Sequence, residues 1–214
     1  MKTLEISKLQ GNGETEDISF FSNLTLPRHD IDIAPWPDFP YKPKVQFSIA
    51  HNGSSLFVKF FAEEHSVRAQ YEEINDPVYK DSCVEIFISL DDQGYYNFEF
   101  NCIGNCLAQF GPSRSDRKFL NKEVIEKITT LPSLGRKPLV LRDEPVNWEL
   151  VVEIPMEVFF RTDITSLSGL EGRGNLYKCG DDTKEPHYLV WNPIETPSPD
   201  FHRPEFFGKF IFGN

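Results

Sequence analysis

The chain has 214 residues, 33 of them acidic against 22 basic, for a formal charge of -11. So acidic a surface argues against nucleic acid and anionic membranes as partners, since both require basic surface, and it is compatible with a neutral ligand. The length suits a single all-β domain, residues 1–214, able to bury a substantial core without disulfides.

The opening stretch "MKTLEISKLQGNGETEDISF" contains no apolar h-region. No signal peptide is read there, and a cytoplasmic location is expected, or a secreted or periplasmic one if the start is misplaced. No apolar run approaches membrane-spanning length. Cys83, Cys102, Cys106 and Cys179 include no CxxC pair and are read as reduced thiols. Cys102 and Cys106 share a side only if one strand continues through Gly104. Asn23–Thr25 and Asn52–Ser54 match the glycosylation sequon, by chance in a cytoplasmic chain.

Along the chain, "PWPDFPYKP" (35–43) reads as an ordered loop or edge. "KVQFSIAHNGSSLFVKFFAEE" (44–64) alternates, turns at His51–Gly53 and alternates again, which predicts a hairpin. "YKDSCVEIFISLDDQGYYNFEFNCIG" (79–104) predicts a second. Helix is read only at 117–131 and 155–162. "NWELVVEIP" (147–155), "HYLVWNP" (187–193) and "FGKFIFG" (207–213) supply further strands, with a Pro-rich loop at 193–204. The whole reads as an all-β antiparallel β-sandwich with short helices in its loops.

The second hairpin raises a chemical question. Side chains alternate along a strand, so Val84, Ile86 and Ile88 with Tyr96, Phe98 and Phe100 form one plainly apolar face. The other carries Cys83, Glu85, Phe87, Tyr95, Asn97, Glu99 and Asn101. Two ionised carboxylates directly opposed would repel. Glu85 is therefore expected to face Asn101, with Glu99 one pair nearer the turn.

A solvated outer face would explain such polarity, but Phe87 and Tyr95 are less typical of one. Clustered carboxylates, amides and aromatic rings are what a sugar requires. Its hydroxyls take bidentate polar partners, and its C–H faces take flat rings. Trp36, Tyr79, Trp191 and Phe201 lie in loops or at strand ends, where such platforms sit. A second cluster, residues 177–208, brings His187, His202 and Arg203 beside Trp191 and Phe201. His187, His202 and Cys179 match no zinc spacing, and no flanking motif supports a Cys–His nucleophile. Arg203 could serve a ligand or stiffen the loop through Asp200 or Glu205.

The segments "DSCVEIFIS…YYNFEFNCIGN", "WELVVEIP", "GNLYKCGDD…PHYLVWNPI" and "PDFHRPEFFGKFIF" resemble the family 9 carbohydrate-binding modules, nearest the free-standing branch common in gut Bacteroidetes. The resemblance runs from about residue 31 to the C-terminus. It implies a β-sandwich of jelly-roll type that holds the end of a saccharide chain between two aromatic planes. By that resemblance Tyr79, which stands where better-known members carry Trp, is one plane and Trp191 the other. Glu85, Glu99 and Asn101 would contact hydroxyls, and a structural calcium is implied without assignable ligands.

The sequence thus points to non-catalytic binding of a neutral mono- or oligosaccharide, through Tyr79, Glu85, Glu99, Asn101, Trp191, His202 and Arg203. Two alternatives stay open. One is a glycoside hydrolase using Glu85 and Glu99, whose carboxyls would need to be about 5–5.5 Å apart for retention or roughly 6.5–9.5 Å for inversion. The other is an interaction domain whose sugar site has decayed.

Overall fold

In the computed structural model, which describes residues 1–9 and 17–214, alternating sequences become strands throughout. The first five are β1 (Thr3–Lys8), β2 (His29–Asp30), β3 (Lys44–His51), β4 (Ser55–Glu64) and β5 (Val67–Ala69). Then come β6 (Cys83–Ser89), β7 (Tyr95–Asn101), β8 (Cys106–Gly111), β9 (Lys118–Phe119) and β10 (Thr129–Pro132). The last are β11 (Leu139–Arg142), β12 (Val146–Pro155), β13 (Glu171–Cys179), β14 (Tyr188–Val190) and β15 (Gly208–Phe212).

All but β5 and β11, which pair with each other in a separate two-stranded sheet, form the two layers of a β-sandwich. The front layer runs β15-β13-β6-β7-β8-β9, with β14 also paired to β13; the back layer runs β10-β12-β4-β3, with β2 on β3. One departure from an all-antiparallel sheet joins them. Thr3–Ile6 of β1 pairs in parallel with Lys209–Phe212, and Ser7 and Lys8 pair in parallel with Ala50 and His51. A single strand thereby stitches both layers into one curled sheet.

The main core lies between the layers, where Val84, Ile86, Tyr96, Phe98 and Phe100 meet Val58, Phe60, Leu150 and Val152. On the outer side of the back layer, helix α1 (Ile18–Ser22), capped by the Asp17 carboxylate, packs Ile18 and Phe21 onto Ala50, Phe57 and Val151. Between the layers at one end, Glu64 on β4 receives Lys178 Nζ at 3.0 Å, Trp148 Nε1 at 2.7 Å and Ser82 Oγ at 3.3 Å. His187 Nε2 lies 2.7 Å from Lys178 Nζ, and burial holds its pKa well below the ordinary value, so the ring is neutral.

The predicted helices shrink. Only α2 (Lys122–Ile125) forms within 117–131, since Asn121 is extended and Thr129–Pro132 joins the sheet as β10. Residues Met156–Phe159 make one 3-10 turn. Gly104, at φ +87°, turns the chain between β7 and β8, so Cys102 and Cys106 do not belong to one strand.

The hairpin register also differs from expectation. Glu85 stands opposite Glu99, and Asn101 stands opposite Cys83. The turn sets this register: Ser89 Oγ donates to Asp91 O at 2.8 Å or to Gly94 O at 2.7 Å, fixing the loop length. The expected repulsion between ionised carboxylates is avoided by burial, which favours the protonated form of both groups.

Candidate functional site

Both faces of β6 and β7 are buried along their whole length. The outer face is roofed by loops that bring Trp36, Val78, Ile194, Phe201 and Phe207 over Phe87, Tyr95 and Tyr177. The roof does not close over Glu85 and Glu99. There it leaves an open cavity of ≈ 480 Å³.

The floor is polar. Glu85 on β6 and Glu99 on β7 lie side by side, 2 % and 4 % exposed, with Gln109 from β8 beyond them. Cys179 Sγ donates to Glu85 Oε1 at 3.0 Å, and Asn97 Nδ2 donates to Glu99 Oε1 at 2.9 Å. Glu99 Oε2 and Asn97 Oδ1 are buried with no hydrogen-bond partner among the described residues. Burial lifts Glu99 to about 7 against the pull of Arg117; burial, with Cys179 and Glu99 nearby, lifts Glu85 well above the carboxylate range. Burial favours the protonated form of both carboxyls, so the floor can both donate to and accept from hydroxyls.

The walls are aromatic. Tyr79, Phe119, Tyr188 and Phe201 line the cavity. Phe201 stacks on Tyr177 at 4.2 Å, with planes 9° apart. Tyr188 is braced edge-on by Phe39 at 4.7 Å and Trp36 at 6.1 Å. These contacts fix ring orientation before any ligand arrives. Phe119, 55 % exposed, stands at the cavity mouth.

Arg114, Arg117, Asp181, Asp200 and His202 also line the cavity. Arg117 lies against the His202 ring nitrogens, and Tyr95 Oη is 3.1 Å from His202 Nδ1. Burial, together with the nearby Arg117 and Arg114 charges, pushes His202 down to about 2, so it is a neutral ring. Arg114 pairs with Asp200 at 3.3 Å.

Of the seven residues singled out from sequence, Tyr79, Glu85, Glu99 and His202 line the cavity, and Asn101, Trp191 and Arg203 do not. Asn101 is structural: its Nδ2 donates to Tyr71 O at 2.8 Å or Asp81 Oδ2 at 3.1 Å, and its Oδ1 accepts from Asn105 N. Arg203 pairs with Glu205 on the surface. Trp191 belongs to the main core, against Phe47 and Phe210. Its ring lies so close to Gly208 that a Cβ there would sit 2.5 Å from it.

Tyr188 occupies the position expected of Trp191. Strand alternation could have found it, because Tyr188 and Val190 face the cavity side while Leu189 and Trp191 face the core. Trp36 stands behind the wall, holding Tyr188 and Phe201 while its Nε1 donates to Thr196 O. The arginines had no distinguishing local signal. Cys179 lines the same cavity as His202, but His187 does not join them, since it is committed to the Lys178 network. Among the described residues, Cys83, Glu85 and Cys179 are the group with metal-ligand spacing. That soft donor set does not suit the calcium implied by the resemblance.

The profile of Carbohydrate-binding family 9 matches residues 18–212. No curated protein matches the chain. Among solved structures, a Bacteroides uniformis protein described as carbohydrate-binding is 39% identical with a TM-score of 0.94, covering 99% of each chain. A family 9 module from Caldicellulosiruptor kristjanssonii in complex with glucose aligns at 12% identity and TM-score 0.58, over 100% of this chain and 97% of that one. A family 9 module from C. kristjanssonii in complex with cellotriose aligns at 12% identity and TM-score 0.59, over 99% of this chain and 94% of that one.

Proposed function

This chain belongs to carbohydrate-binding family 9, and we propose that its front-layer cavity holds a neutral mono- or oligosaccharide without turning it over. The observation that carries the reading is the pairing of a carboxyl floor with pre-braced aromatic walls in one open cavity of ≈ 480 Å³. That volume falls in the range of roughly 300–1,000 Å³ typical of small-molecule sites. Glu85, Glu99 and Gln109 read hydroxyls, while Tyr79, Tyr188 and Phe201 cover C–H faces. Glucose and cellotriose, bound by family 9 modules from C. kristjanssonii, are the first ligands to try.

The carboxyl placement favours binding over hydrolysis. A glycosidase needs its two carboxyls to flank the scissile bond, acid on one side and nucleophile or base on the other. Glu85 and Glu99 are neighbours on one sheet face, so both would approach a bound ring from beneath.

Isothermal titration against a saccharide panel tests the reading. Saturable binding that weakens in Tyr188→Ala supports it, and absence of heat with every sugar overturns it. Turnover of a chromogenic glycoside, abolished in Glu85→Gln, would replace it with the hydrolase reading.

A further inference from the structure

We infer that Cys83, Glu85 and Cys179 form a three-ligand site for a thiophilic divalent cation of the zinc class, at the inner end of the cavity. The inference stands independently of sugar binding. Its basis is strand geometry. Cys83 and Glu85 are two residues apart on β6 and so share a face. Cys179, on β13, is the direct cross-strand partner of Cys83. Three side chains from two adjacent strands therefore converge on one side of the sheet, and one side remains for a further ligand.

The distances fit. One ligand atom from each residue lies within 4.8 Å of the other two, and Cys179 Sγ is 3.0 Å from Glu85 Oε1. Tetrahedral zinc with bonds of about 2.3 Å to sulfur places neighbouring sulfurs about 3.8 Å apart, so side-chain adjustment alone can close the site. Two sulfurs and one carboxylate oxygen select zinc-class ions over calcium or magnesium.

Access and charge agree. Glu85 and Cys179 line the cavity, whereas Cys83 is fully buried behind them, so the fourth position faces solvent. Glu99 Oε2, buried and without a partner among the described residues, is placed on the neighbouring strand to accept from a metal-bound water. The nearby cations are engaged elsewhere, Lys178 with Glu64 and Arg117 against His202. Binding releases both thiol protons, and that of Glu85 where it carries one, to solvent. Two thiolates, a carboxylate and a dication leave one net negative charge.

The test is titration of the reduced, chelator-stripped full chain with Co²⁺, followed by Zn²⁺ displacement. The expected result is uptake of one ion per chain, with sulfur-to-cobalt charge-transfer absorption and the intense visible bands of tetrahedral Co²⁺. Zn²⁺ should bleach both, and Cys83→Ser and Cys179→Ser should abolish them while Cys106→Ser keeps them. No uptake, uptake without sulfur charge transfer, or uptake unchanged in both serine variants overturns the site. If those variants do not fold, the wild-type cobalt spectrum decides by itself. Sugar titration of the stripped protein reads the binding function separately.

Discussion

Glu85 and Glu99 face each other across the β6–β7 pair, both buried, with the Cys179 thiol hydrogen-bonded to one and the Asn97 amide to the other. Two carboxyls so placed are compatible with folding because neither must be ionised. The same arrangement makes stability depend on pH, and several consequences can be measured.

The native state holds the Glu99 proton up to about 7, whereas the unfolded chain releases it near the ordinary 4.5. Between those values the native state binds more protons, so stability falls as pH rises and levels off above about 7. Glu99→Gln removes its share of that decline. Urea unfolding from pH 4 to 9 should show a shallower decline for the variant, its stability relative to wild type rising by about 3 kcal/mol from the acid to the alkaline end. Parallel curves would refute the assignment.

Tyr188→Ala and Trp191→Ala should separate binding from stability. The first removes a cavity wall, and calorimetry should show at least about a tenfold loss of sugar affinity, or about 1.4 kcal/mol. The second empties a core position and should cost about 3–5 kcal/mol of stability, with affinity kept in the folded fraction. The reverse pattern would return Trp191 to the site.

Asn101→Ala should destabilise the fold by about 1–3 kcal/mol, because Asp81 loses a donor while still receiving Gln70 N and Tyr71 N. Arg203→Ala should change stability by less than about 0.5 kcal/mol and leave sugar affinity alone, its partner being the exposed Glu205. Chemical denaturation and titration of the two variants check both statements.

Lys178→Met leaves Glu64 buried without its ammonium partner and should cost about 3–5 kcal/mol. Adding Glu64→Gln should recover part of this loss, since a neutral amide is cheaper to bury. A double variant less stable than the single would show that the Trp148 Nε1 contact to Glu64 dominates instead.

By itself the sequence determined the strand periodicity, the hairpins at 44–64 and 79–104, and the presence of Glu85 and Glu99 on a face opposite the apolar one. It also carried the family resemblance. These are local properties, since a period of two and a turn need only neighbouring residues. β13 escaped because Gly172 and Gly174 interrupt its apolar pattern, and the two predicted helices shrank because β10 and a 3-10 turn claimed their residues. Only tertiary structure decided that the polar face is roofed, that Glu85 meets Glu99, that Tyr188 and not Trp191 lines the cavity, and that Cys179 arrives beside Cys83. Each depends on which distant segment packs where: Asn101 is held by Tyr71 and Asp81, and Trp191 is taken into the core by Phe47 and Gly208. Contacts of that sequence separation leave no periodic trace, so chemistry-bearing residues could be named before the site they build.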